Sequence, residues 1–109
     1  MVDVTHYSFR VFWSEQDGEH VATVAEFPRV SWLAPTPDEA LAGLTAALRD
    51  IVADMQTTGE PIPEPISHRA YSGRLNVRIP PDLHRRLTLA AAEENVSLNR
   101  FVSDRLARV

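Results

Sequence analysis

The sequence predicts an α+β chain in two parts, a β-β-β-α front and a strand–helix–helix tail. Three observations carry this prediction. Apolar residues alternate over residues 5–14, a capped amphipathic helix runs from about 37 to 58, and the sign of the charge reverses after residue 66.

In the first strand Tyr7, Phe9, Val11 and Trp13 fall on one side, and Ser8, Arg10 and Phe12 on the other, the period of a half-buried strand. Ser14 to Glu19 is polar and carries Asp17-Gly18, a turn signal. Residues 20–27 are rich in Val, Ala and Thr and read as a second strand, so the pair forms a hairpin that ends at Pro28. Val30 to Leu33 is a short third strand.

Thr36-Pro37-Asp38-Glu39 combines a capping residue, a proline at the first helical position and a glutamate three residues after the threonine. Leu41, Leu44, Leu48, Ile51, Val52 and Met55 then make one apolar stripe. Gly59 can take the left-handed turn that closes the helix, and Pro61 forbids its continuation. Three alternating prolines in Gly59-Glu-Pro-Ile-Pro-Glu-Pro-Ile-Ser67 exclude helix and predict an extended spacer or an edge strand.

The tail begins with Arg74-Leu75-Asn76-Val77-Arg78-Ile79, which alternates strictly, polar residues on one face and apolar on the other. Pro80-Pro81-Asp82 ends that strand and starts a helix with Leu83, Leu87, Ala90 and Ala91 on its apolar face. Asn95 suits the left-handed turn after it. Ser97 is an N-cap for a last helix with Leu98, Phe101, Val102 and Leu106 on one face. The expected division is 1–66, a linker at 67–73, and 74–109.

At 109 residues the chain fits one ordinary domain or two small ones. No apolar run approaches the ~18–20 residues of a membrane span, and no export signal opens the chain. A soluble, cytoplasmic protein is the expectation. The absence of Cys excludes disulfides and cysteine-based zinc sites. The net charge of −4 hides a division. Residues 1–66 hold eleven acids and three arginines; residues 67–109 hold eight arginines and four acids. All eleven basic residues are Arg, a usage that a GC-rich genome also produces. The asymmetry points to an acidic module and a nucleic-acid-facing one.

A tail of fewer than ~40 residues with a single strand cannot satisfy both strand edges or bury a sufficient core alone. A second copy solves both problems. The two strands pair antiparallel about a two-fold axis, and the helices share a dimer core of Leu75, Val77, Ile79, Leu83, Leu87, Phe101 and Leu106. The ribbon then presents Arg74, Asn76 and Arg78 twice. A two-stranded ribbon fits the DNA major groove, where Arg bonds guanine and Asn bonds adenine.

The polar–apolar strand RLNVRIP, the helix entry PPDLHRRL and the helix start VSLNRFV resemble a ribbon–helix–helix module of the Arc and MetJ kind. That resemblance implies that Arg74, Asn76 and Arg78 read bases. It also implies that the helix start at Ser97, Leu98 and Asn99 holds a phosphate with backbone N–H groups. Taken with TPDEAL and GEPIPEP upstream, residues 7–108 are similar to HicB-family antitoxins. The family implies a partial RNase-H-like front that blocks a HicA-like RNase toxin, and a tail that binds the operator and represses the shared operon. The segment FPRVSWLAPTPDEA departs from many members, with Trp32, Leu33 and Ala34 where they carry Gly-containing polar residues.

Other chemistry finds little support. His6, His20, His68 and His84 are scattered without metal-ligand spacing, so neither metal nor other cofactor is expected. An active nuclease of the RNase H type needs a carboxylate in the middle of its first strand; Tyr7 to Trp13 has none, so no enzyme is expected. Arg85, Arg86, Arg100 and Arg105 read as solvated helix faces. The front's acids Glu15, Asp17, Glu19, Asp50 and Asp54 are either solvated or attract a basic partner; the sequence leaves both open. Trp13, Phe27 and Trp32 read as core, with an exposed Trp32 marking a protein contact instead. The expectation is therefore a dimeric antitoxin and autorepressor. The alternative is a solitary ribbon–helix–helix regulator whose front binds a small ligand or serves assembly.

Overall fold

A computed structural model describes residues 2–109, which form two compact units with the boundary between Tyr71 and Ser72. The first unit opens with a 3₁₀ turn at Val4–His6, followed by β1 (Phe9–Ser14), β2 (Glu19–Val24) and β3 (Ser31–Ala34). The three strands form an antiparallel sheet in the order β1-β2-β3. The expected strand over residues 5–14 is thus shortened at its start. Asp3 accepts a bond from the Thr5 N–H at 2.9 Å, and this cap closes a tight turn where alternation alone predicts strand. The second strand ends at Val24, because Ala25 to Arg29 turn toward β3.

Helix α1 (Pro37–Thr58) starts at the Thr36 cap, whose hydroxyl accepts from the Glu39 N–H at 3.2 Å, and ends at Gly59 with φ of 75°. Its 22 residues span roughly 33 Å at ~1.5 Å each. Ala40, Leu44, Leu48 and Val52 are buried against Ala22, Val24 and Ala34 of the sheet and Val4 and Tyr7 before it. Register explains the face. Phe9 pairs with Val24, Val11 with Ala22 and Ala22 with Trp32, so one pleat surface faces the helix. The expected core tryptophans are corrected by exposure: Trp13 is 49% and Trp32 44% exposed, while Phe27 packs edge-on against Tyr7 at 5.4 Å. Trp32 lies over Gly43 of α1, where a Cβ would overlap its indole ring.

The proline-rich strap after α1 is neither free nor a strand. A 3₁₀ turn forms at Ile66–His68, and the strap is fastened to the front by long-range bonds. Tyr7 donates its hydroxyl to the Pro63 carbonyl at 2.8 Å, and Ile66 N–H donates to the Glu26 carboxylate at 2.9 Å.

The second unit contains α2 (Pro81–Glu93) and α3 (Leu98–Leu106). Asn95 has φ of 56° between them, the left-handed conformation asparagine tolerates. The ribbon strand expected at 74–79 is not formed: these residues lie outside helix and strand. A strand is a ladder of bonds to a neighbour, and among the described residues no strand pairs with this segment.

Candidate nucleic-acid interface

Pro80 and Pro81 set the start of α2 with fixed φ, and Asp82 occupies its first turn near the positive end of the helix dipole. Ser97 caps α3: its hydroxyl accepts from the Arg100 N–H at 3.0 Å. The cap uses the Arg100 donor, and the N–H groups of Leu98 and Asn99 remain in the unpaired first turn. Ser97, Leu98 and Asn99 therefore come together as a helix start of the kind that accepts an anion.

Arg74, Asn76 and Arg78 are all exposed on the segment before α2. The arginines of this unit fall into two groups. Arg85 and Arg86 share Asp82 at 2.9 and 3.2 Å. Arg100 approaches Asp104 at 4.0 Å, and Arg105 pairs with Glu94 at 3.5 Å while its guanidinium stacks on Phe101. By contrast, Arg74, Arg78 and Arg108 have no carboxylate within 4 Å among the described residues. The two that flank Asn76 are thus uncommitted cations.

The residues of the expected dimer core divide by depth. Phe101 is buried, and Ile79, Leu83 and Leu87 are half-buried. Leu75, Val77 and Leu106 are 72%, 65% and 51% exposed. Burial of these three is not achieved within one chain. Within one chain the two helices, of 13 and 9 residues, leave these three side chains uncovered.

The front has its own polar centre, which sequence reasoning missed. Glu26, 9% exposed, accepts from the N–H groups of Ser8 and Ile66, each at 2.9 Å, and from the Ser8 hydroxyl at 3.1 Å. Burial pushes its pKa up, but the bonds from Ile66 and Ser8 more than offset this and leave it below the usual glutamate value. For Tyr7, burial first and then the Glu26 charge raise the hydroxyl pKa, so it remains a donor to Pro63. The only signal in the sequence was an acid placed within the apolar run Val24-Ala25-Glu26-Phe27. The fold also brings together two of the scattered histidines. His6 and His68 meet edge-on at 4.8 Å beside Asp3, bordering an open cavity of about 590 Å³ that Val2, Ile62 and Glu64 also line. Among the described residues no cluster of three His, Asp or Glu side chains could hold a metal ion. No helix is long and apolar enough to cross a membrane, again among the described residues.

The HicB family model matches residues 57–106. The match takes in the last two residues of α1, the strap and nearly all of the second unit, the segment that carries the uncommitted arginines and the Ser97 cap. It supports a HicB-family protein, and the α+β architecture with a three-stranded antiparallel sheet followed by helices is consistent with a HicB-like fold. The matched family suggests an antitoxin role and, in general terms, a toxin as partner. No curated protein and no solved structure matches the chain.

Proposed function

We propose that the chain is a cytoplasmic, non-enzymatic antitoxin of a type II toxin–antitoxin system. Its front neutralises a HicA-like mRNA-cleaving toxin, and its tail represses its own operon by binding the operator as a dimer. The observation that carries this reading is the HicB match over residues 57–106. In the dimer, two copies of Arg74–Ile79 pair antiparallel and close the core with Leu75, Val77 and Leu106, which one chain leaves exposed. Arg74, Asn76 and Arg78 then stand on a ribbon in the major groove and read bases, while Ser97, Leu98 and Asn99 fix a backbone phosphate. The front's acidic residues steer a basic toxin. Strand β1 carries no carboxylate, which agrees with a front that binds rather than cleaves.

A gel-shift titration against the chain's own promoter tests the tail. Arg78→Ala is expected to weaken cognate binding by about tenfold or more, with a smaller effect on random DNA. Equal loss on both sequences, or no loss, overturns the base contact. Co-expression with the product of the neighbouring small reading frame tests the front. Rescue of growth and co-purification are expected. Operator binding without either result favours the solitary regulator, with the cavity beside His6 and His68 as the place for a ligand.

A further inference from the structure

The β1-β2-β3 order leaves β1 with a neighbour on one side only. The phase of its backbone follows from the bond between Ala25 N–H and Ser8 C=O at 3.0 Å. Antiparallel ladders alternate, so Ser8, Arg10, Phe12 and Ser14 turn their peptide groups toward β2, while Phe9, Val11 and Trp13 turn theirs outward. Among the described residues no bond from elsewhere in the chain reaches those outward groups. Proteins usually blunt such edges. The opposite edge is blunted, since β3 has four residues and runs straight into Pro35. β1 has six residues, an unbroken register with β2, no proline and no acid, and a half-exposed Trp13.

We propose that β1 pairs antiparallel with β1 of a second copy, across a two-fold axis at Phe12, to make one continuous sheet of six strands. The outward groups must meet one another, which leaves two central registers, one about Val11 and one about Phe12. Charge decides between them. The axis at Phe12 sets Arg10 opposite the second copy's Ser14, whose hydroxyl holds the Asp17 carboxylate at 2.8 Å. Guanidinium and carboxylate then meet twice by symmetry. The same register lays Val11 against the second copy's Trp13 and covers its exposed ring. The front's net negative charge opposes the approach of two copies, but beyond a Debye length of about 8 Å at physiological salt that repulsion is screened. The local Arg10 contact acts at short range and is not. This pairing is separate from the tail's and holds or fails independently of operator binding.

The chain has no cysteine, so one introduced thiol reports the register. Opposed residues of a non-hydrogen-bonded antiparallel pair lie about 4.5 Å apart at Cα, within reach of a disulfide. The full chain with Phe12→Cys is expected to form a linked dimer under mild oxidation, and Gln16→Cys, in the exposed turn, to remain mainly unlinked. No linking at residue 12, or equal linking at both positions, overturns the proposal. Because loss of the Phe12 ring could disturb the fold, the unaltered chain supplies a second reading. Amide exchange of Val11 and Trp13 is expected to be slowed at least about tenfold relative to an unstructured peptide, as for a bonded strand. Exchange at the free-peptide rate, with Phe12 and Val21 still protected, overturns it. Trp13→Lys, which puts a charge on the edge, is expected to abolish both signals.

Discussion

The two units bury their apolar residues to very different depths. In the first, Ala40, Leu44 and Leu48 of α1 are fully buried, closed between helix and sheet. In the second, only Ala91 and Phe101 are buried, while Leu75, Val77 and Leu106 face outward. The contrast follows from what each piece of sequence contains. The front has three strands that satisfy one another and one long helix to cover them. The tail has two short helices and a strand-like segment without a neighbour. One unit is closed within the chain and the other, in the proposed dimer, is completed by a second copy, so their responses to mutation should differ in kind.

The largest effects come from the two cores. Leu48→Ala should cost about 2–5 kcal/mol in the front, and Phe101→Ala about 3–5 kcal/mol in the tail. Calorimetry should show each substitution lowering its own transition and sparing the other. If either substitution shifts both transitions together, the units unfold as one and the comparison breaks. Val77→Asp sharpens it. At an exposed position in a single chain a charge costs little, but at a dimer seam it is buried unpaired. The tail transition should lose its dependence on protein concentration, and the front transition should not move.

Next in size is the fastening of the strap. Glu26→Gln replaces a carboxylate that accepts three bonds with an amide that has one acceptor, and leaves a buried donor unmatched. A loss of about 1–3 kcal/mol from the front transition is expected. The pH dependence has a definite sign. The folded pKa of Glu26 lies below its unfolded value, so this contribution is fully present above the ordinary glutamate pKa. It is lost as pH falls through the depressed folded value. Front stability of the unaltered chain should drop more steeply than that of Glu26→Gln across this acid window. Parallel acid titrations of the two would show that the carboxylate is not what holds Ile66.

Glu26 also marks where the sequence stops being legible. Helix α1 is readable from end to end because its signals are local: Thr36 caps it, Pro37 starts it and Gly59 turns it off. Asn95 and Ser97 are readable for the same reason. The Glu26 cluster joins residue 26 to residue 66, and no periodicity or cap encodes a partner 40 positions away. Trp32 is similar, since its place over Gly43 depends on how β3 lies against α1. The strand at Arg74–Ile79 fails for another reason. Its alternation is plain in the sequence, but the ladder it needs is not available inside one chain. At the candidate interface, residue identity and exposure were legible. The division of arginines into paired and free was not, because it rests on where Asp82, Glu94 and Asp104 fall after folding.

Gly43→Ala tests the front's packing at a finer level. Alanine raises helix propensity by about 1 kcal/mol. Here its Cβ would overlap the Trp32 ring, and overpacking typically costs about 1–3 kcal/mol. A net loss of about 1 kcal/mol is expected, with altered tryptophan emission as the ring moves outward. In the Trp32→Ala background the same change should be neutral or stabilising. A stabilising Gly43→Ala with Trp32 present would mean the indole is loosely held, and the front would be less tightly closed than its core suggests.

The smallest effect belongs to the tail's surface charges. Asp82 holds Arg85 and Arg86 with all three side chains about two-thirds exposed, and it sits in the first turn of α2. Exposed pairs and a favourable dipole position each contribute at most about 1 kcal/mol, so Asp82→Asn should lower the tail transition by about 1 kcal/mol or less. It should nonetheless change binding, because it removes a negative charge and frees two guanidinium groups. Affinity for random DNA should rise and its salt dependence should steepen, whereas the ratio of operator to random binding should not increase. A gain confined to the operator would place Arg85 or Arg86 at the bases and overturn the division between paired and uncommitted arginines. A stability loss well above 1 kcal/mol would show that this carboxylate organises the tail, which the exposure of its partners argues against.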